Sequence, residues 1–258
     1  MTSLPSRWRR YQDLRPDELE SCLHTAPIVF WPLGLLEHHG WHLPVGFDGV
    51  KAERICIRIA ERTGGVLLPT MWWGGLGGHG DFKWTLYQPI EAPAIILSST
   101  VERLIDFGFR VVVLFAGHYP WRTLLDREMP VLQADHPDSL IIWGTEMDIA
   151  EGVSIPGDHA AREETSYGMH LMPDLVDMEA LTPGREPSTV WPGGRVPGDG
   201  HPGVCMDSRD VLFAQMGDDA RRASALRGEV AIAQVVNRLT QTVAEYFDAL
   251  RAAEVESA

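Results

Sequence analysis

Val111-Val112-Val113-Leu114-Phe115-Ala116-Gly117-His118 is the run on which the fold turns: apolar residues in unbroken succession, then two small residues and a histidine. A strand without a polar face must be covered on both sides, the situation of a parallel sheet buried between helices. Upstream, Ile95 to Phe107 reads as a helix stopped by Gly108; downstream, Trp121 to Ala134 reads as a helix and Leu140 to Trp143 as a short strand. The same rhythm precedes it, with strand Ile28 to Trp31, a half-buried helix from Gly49 to Arg62 ended by Gly64 and Gly65, and strand Val66 to Leu68. Thr165 to Leu171 reads as a helix closed by Pro173, and Ile232, Val236, Leu239, Val243, Tyr246 and Leu250 form one apolar stripe of a C-terminal helix over 218–252. The sequence therefore predicts an α/β fold, a mainly parallel sheet covered by helices on both faces, as one domain over 1–258.

Composition narrows the function. With 258 residues, 45% of them hydrophobic, the chain buries a full core. Its formal charge of −14 repels a phosphate backbone, so nucleic acid is not an expected partner. The apolar run from Ala26 to Leu36 is broken by Pro32 and Gly34 and falls far short of the ~20 residues that span a bilayer, so no membrane partner is expected. Arg7, Arg9 and Arg10 are followed by Asp13 rather than by an apolar stretch, which argues against a secretory signal and for the cytoplasm. Cys22, Cys56 and Cys205 are scattered, as reduced thiols are, so any metal falls to histidines and carboxylates. Thr182 to Gly203, with five prolines and six glycines, is an irregular segment that either covers a site or links.

Ligands of parallel sheets bind beyond the carboxyl ends of the strands. Glu37, His38, His39, His42 and Asp48 follow the strand at Ile28, and His118 follows the one at Val111. Each alone reads as a solvated loop residue or a turn cap. Converging on one sheet edge, they read as a site for Zn²⁺, Mn²⁺ or Fe²⁺, and the one-residue spacer sends Glu37 and His39 to the same side of an extended loop. In a third cluster, His159 and Glu164 stand before a helix start, either as part of a cap or as chemistry: His159 moving a proton, Glu164 ligating a metal or acting as base. Trp72, Trp73, Trp84, Tyr119 and Trp121 read either as walls of a small pocket or as core, the latter reading being at least equal for Trp84.

The stretch PLGLLEHHGWHLPVGFD, Pro32 to Asp48, resembles the creatininase superfamily pattern P-x-G-S-x-E-Q-H-G-x-H-L-P-x-x-T-D. Phe109 to His118 is similar to the family's strand and following loop, HAAREETS from His159 to Ser166 resembles its H-A-G-E-x-E-T-S segment, and the likeness runs in order from about Ile28 to Val176. The resemblance implies a three-layer α/β/α fold, a homohexamer, and hydrolysis of a small cyclic substrate at a C–N bond with one or two divalent ions. Other relatives open a keto-inositol at a C–C bond, or release a peptide or formyl group. It also implies the site roles: Asp48 bridging, Glu37 and His118 on one ion, His39 on the other, His159 catalytic, Glu164 a ligand or acid/base. His79 falls in the loop that contacts substrate, beside Tyr119, Trp73 and Trp121, while His42 supports the ligands by hydrogen bonding. Creatininase proper has a glutamate two residues beyond the ligand histidine, where this chain has Pro120. Either Glu164 substitutes, or one ion binds tightly, or the second position is weak. Leu35, His38 and Arg162 also depart from the pattern, which argues against taking creatinine itself as the substrate.

Overall fold

Successive residues of each strand face opposite helical layers, as the two-residue period of a strand requires. Phe30, Val111, Val113 and Phe115 point to one side, against Ile55 and Ile59 and against Tyr167, Ile232 and Val236. Val29, Trp31, Val112 and Leu114 point to the other, against Leu97, Val101, Leu125 and Met129. The computed structural model describes residues 8–75, 79–86, 88–185, 188–191 and 203–256. The strands are β1 (Trp8–Arg10), β2 (Ile28–Leu33), β3 (Gly65–Leu67), β4 (Val111–Ala116) and β5 (Leu140–Thr145), parallel throughout in the order β1-β3-β2-β4-β5. Helices α2 (Phe47–Thr63), α5 (Arg162–Leu171) and α6 (Ala225–Glu256) cover the first face, and α1 (Pro16–Thr25), α3 (Glu91–Asp106) and α4 (Trp121–Asp135) the second. The three-layer expectation holds, and the three cysteines are free.

Three elements differ from the sequence reading. β1 and α1 go unpredicted because β1 is a three-residue edge strand rich in arginine and α1 contributes only partly buried residues. The C-terminal helix runs over Ala225–Glu256, not from 218. The helix read at Thr165 begins at Arg162, because Asp158 caps it from outside: its carboxylate accepts from the backbone N–H of Glu163 at 2.7 Å and of Glu164 at 3.0 Å. Glu164 is thus inside the first turn, not ahead of it. Of the segment read as irregular, residues 186–187 and 192–202 lie outside the described residues.

The site's position follows from topology. From β2 the chain crosses through α2 on one face to β3, and then through α3 on the other face to β4, so the carboxyl ends of β2 and β4 form the switch point of the sheet. Glycine permits the close approach there. Gly117 N–H donates to the Leu33 carbonyl at 2.7 Å, and a Cβ on Gly117 would lie 2.0 Å from the Asp48 carbonyl oxygen. Gly117→Ala is therefore expected to cost about 1–3 kcal/mol or more, as overpacking does, read as a lower urea midpoint with an unchanged slope.

Candidate metal centre

Glu37, His38 and His39 leave β2 on an extended loop, Asp48 sits in the first turn of α2, His118 follows β4, and Glu164 faces them from the first turn of α5. Helix N-termini favour carboxylates, which suits both Asp48 and Glu164. Adjacent helical residues point about 100° apart, so only one of the two neighbouring glutamates turns inward. Glu163 instead pairs with Arg162 at 2.7 Å and with Arg227 of α6 at 2.6 Å.

Two triplets of inward groups share one residue, Glu37, Asp48 and His118 on one side and His39, Asp48 and Glu164 on the other, and a third triplet, Glu37, His39 and His159, adds one residue to these five. His118 Nδ1 lies 3.0 Å from Glu37 Oε2 and 3.3 Å from Asp48 Oδ2. His39 Nε2 lies 3.1 Å from Asp48 Oδ1 and 3.6 Å from Glu164 Oε2. Each oxygen of Asp48 therefore belongs to a different triplet. All five residues are buried to within a few per cent of their surface. The His39 Nδ1–H donates to the Glu37 carbonyl at 3.1 Å, which turns Nε2 toward the carboxylates.

Burial works against protonating His39, but Asp48, Glu164 and Glu37 outweigh it and hold its pKa up at about 9. His118 is likewise raised against its burial, by Glu37 and Asp48, to about 10. Burial alone would raise Asp48, yet His39 and His118 keep it well below the usual carboxylate range. The cluster thus favours positive charge, which a divalent cation would supply in place of protons on the two imidazoles. His39 Nε2 and Asp48 Oδ2 are nevertheless buried without a hydrogen-bond partner, since their ionic neighbours approach outside hydrogen-bond geometry. Orphaned donor atoms of nitrogen and oxygen, directed at shared points among carboxylates, fit a divalent cation.

His159 lies at the rim of this cluster. Its Nε2–H donates to the His38 carbonyl at 3.0 Å, its ring stacks on His79 at 3.6 Å between centroids, and the His39 ring is 4.4 Å away. Burial, with His79 and His39 beside it, pushes its pKa well below the ordinary histidine value, so Nδ1 carries a lone pair. The backbone N–H of His79 donates to Glu37 Oε1 at 2.9 Å, tying the glycine-rich loop to the carboxylates. His42 is held near a pKa of about 4 by burial and the neighbouring His39, and it bonds Thr165 Oγ1 at 2.8 Å. Its support reaches the ligands through α5 rather than directly.

The aromatic expectations divide. Tyr119 is half-buried at the site, its hydroxyl donating to Glu146 Oε1 at 2.9 Å. Trp121 is a correction: it is 1% exposed, packs in the apolar layer with α3 and donates its indole N–H to the Gly34 carbonyl at 3.0 Å, so it is scaffold rather than wall. Trp73 and Trp84 are exposed, and Trp84 is therefore not core. Thr189, in the segment read as irregular, reaches back to His38 Nε2 at 2.8 Å, so that part of it lies over the site loop.

Two buried residues escaped the sequence reading. Lys51 lies within the helix read as half-buried from Gly49 to Arg62, where a lysine suits the wet face, yet it is 0% exposed, with Nζ 2.6 Å from Glu146 Oε1 and 2.9 Å from Glu164 Oε1. Phe47, Lys51, Ile55 and Ile59 share one i, i+4 stripe, which was the signal. Glu146 directly follows β5, so the strand-end rule that found His118 points to it as well.

Comparison with known proteins agrees with this fold. The creatinine amidohydrolase of Pseudomonas putida is 23% identical over 254 residues, covering 85% of this chain and 90% of the relative. A mycofactocin precursor peptide peptidase of Mycobacterium ulcerans (strain Agy99) is 28% identical over 218 residues, covering 76% of this chain and 83% of the relative. A crystal structure of creatinine amidohydrolase (creatininase) superposes with a TM-score of 0.72 at 21% identity, covering 95% of this chain and 99% of that one. The family model described as creatininase, creatinine amidohydrolase, matches residues 12–243, and the chain belongs to the creatininase family.

Proposed function

We propose that this chain is a metal-dependent hydrolase that opens a small cyclic amide at its C–N bond. The observation that carries the reading is the pair of buried triplets sharing Asp48, with His39 Nε2 and Asp48 Oδ2 lacking partners. Glu37, Asp48 and His118 would hold one cation, and His39, Asp48 and Glu164 a second, with Glu164 standing in for the ligand that Pro120 removes. Relatives support the choice of ion, since solved creatininases include a manganese form and a Zn-Zn form. When bound, a divalent cation polarises a carbonyl and acidifies water. The chain's own residues do the rest. His159 accepts a proton at Nδ1 and returns it to the leaving nitrogen, its ring fixed by the His38 carbonyl and by His79. Burial of the cluster keeps bulk water out and strengthens each of these interactions. His79, Tyr119 and Trp73 are the proposed substrate contacts. A homohexamer and a cytoplasmic setting belong to the same proposal; no helix among the described residues is long and apolar enough to cross a membrane.

A second reading keeps these residues and changes the bond. The peptide peptidase relative, and a 3-dehydro-scyllo-inosose hydrolase of Thermotoga maritima at 23% identity, favour peptide cleavage or C–C opening of a keto-inositol. A panel of lactams, creatinine, keto-inositols, formamides and short peptides, assayed with Mn²⁺, Zn²⁺ or Fe²⁺, tests both. The first reading expects a lactam ring to open, with turnover lost on chelation and restored by cation. Turnover of a peptide or keto-inositol alone would transfer the assignment to the second, and turnover undiminished by chelation would overturn both.

A further inference from the structure

The two triplets are not equivalent, and the difference lies in Lys51. Its ammonium is fully buried, held by Glu146 Oε1 at 2.6 Å and Glu164 Oε1 at 2.9 Å, and lies 4.6 Å over the Tyr119 ring and 5.4 Å over that of Phe47. Glu146 is itself anchored by the Tyr119 hydroxyl at 2.9 Å, while its Oε2 is buried without a hydrogen-bond partner. The oxygens of Glu164 are thereby divided. Oε1 belongs to Lys51, and Oε2, which accepts from the Ala160 N–H at 2.9 Å, is the one turned toward His39. Glu164 can offer a cation one oxygen, in the presence of a fixed positive charge. The Glu37 carboxylate, in the other triplet, faces the His118 imidazole at 3.0 Å instead of an ammonium.

Charge points the same way. With His39 and His118 neutral, as metal ligands must be, Glu37, Asp48, Glu164 and Glu146 set against Lys51 leave three negative charges in the buried cluster. One divalent ion leaves one of these unbalanced, and a second drives the cluster to a net positive charge, which is costly in a low-dielectric interior.

We infer that Lys51, anchored by Glu146, is a positioning residue that holds Glu164 by one oxygen and makes the two cation positions unequal: a divalent ion is held tightly at Glu37, Asp48 and His118, and a second weakly at His39, Asp48 and Glu164. The inference rests on the metal reading above and assigns that site a built-in limit on its second ion. A residue that served only to fill space would, on removal, loosen both positions together. Lys51 pairs with a ligand of one position, Glu164, and not with the shared Asp48, so its loss tightens that position most.

The test is equilibrium titration of the metal-stripped full-length chain with Mn²⁺, with free Mn²⁺ followed by electron paramagnetic resonance and bound metal by elemental analysis after dialysis. The wild type is expected to show two classes of site separated by about a hundredfold in Kd. Lys51→Met should tighten the second class by about tenfold or more and leave the first within about threefold. Glu146→Gln should shift the second class the other way by a similar factor, since Lys51 then pairs with Glu164 alone. Two equal classes in the wild type, or a second class unmoved in both variants, would overturn the inference. Should Lys51→Met fail to fold, the sign of the Glu146→Gln shift decides the matter alone, and no shift or a tightening counts against it. A wild-type chain that binds no Mn²⁺ would instead remove the metal reading itself, an outcome distinguishable from two equal sites.

Discussion

Asp48→Asn is expected to empty both cation positions at once and to lower kcat/KM on whichever substrate is turned over by at least about a thousandfold, roughly 4 kcal/mol of barrier. The expectation is specific to Asp48 because its two oxygens face different triplets, Oδ1 toward His39 at 3.1 Å and Oδ2 toward His118 at 3.3 Å. Asparagine keeps the shape and the place in the first turn of α2, but it exchanges one ligating oxygen for an amide that repels a cation. It also removes the charge that both triplets share. Elemental analysis of the purified variant, with far-UV circular dichroism as a check on folding, reads the result. A variant that is folded, retains its metal and turns over at the wild-type rate would remove Asp48 from the centre of the site. Glu37→Gln should be milder for the second ion, since Glu37 is not part of the triplet of His39, Asp48 and Glu164.

Replacing His159 by glutamine is expected to lower kcat by about 10²- to 10⁴-fold, the range a lost proton-transfer group costs, while metal content and KM change little. The reason is its position outside the two triplets that share Asp48. Its Nε2–H is committed to the His38 carbonyl, and its stacking on His79 at 3.6 Å holds the ring plane. Glutamine preserves a donor to that carbonyl and lacks a base. Steady-state kinetics beside elemental analysis separates the two roles open to the residue: a proton carrier loses kcat with its metal intact, whereas a ligand loses metal. Unchanged kcat with full metal content would exclude His159 from the chemistry.

The legible parts of this protein were those in which local chemistry and tertiary packing agree. The apolar run over β4 has one reading, because a strand without a wet face must lie inside a sheet covered on both sides. Histidines and carboxylates at two strand ends point to a metal site, and the structure brings Asp48 within reach of both triplets, on which its proposed bridging role rests. The illegible parts were those where an ordinary pattern hid an unusual placement. Lys51 looked like one more charge on an amphipathic helix, because sequence does not display the Glu146 and Glu164 carboxylates that arrive from β5 and α5 to make its burial tolerable. Helix α5 was begun three residues late because its cap, Asp158, lies four residues ahead of Arg162 and across an intervening turn. Trp121 belongs to the core because the first turn of α4 folds under the β2 loop, a long-range contact with Gly34 that no local periodicity records.

The most direct measurement of the central claim is anomalous diffraction from crystals of the full-length protein grown with Mn²⁺. Glu37, Asp48 and His118 are predicted to surround a strong anomalous peak, with a weaker one between His39, Asp48 and Glu164, both in contact with the Asp48 carboxylate. Well-ordered density for all five side chains, with no anomalous signal among them, would contradict the account.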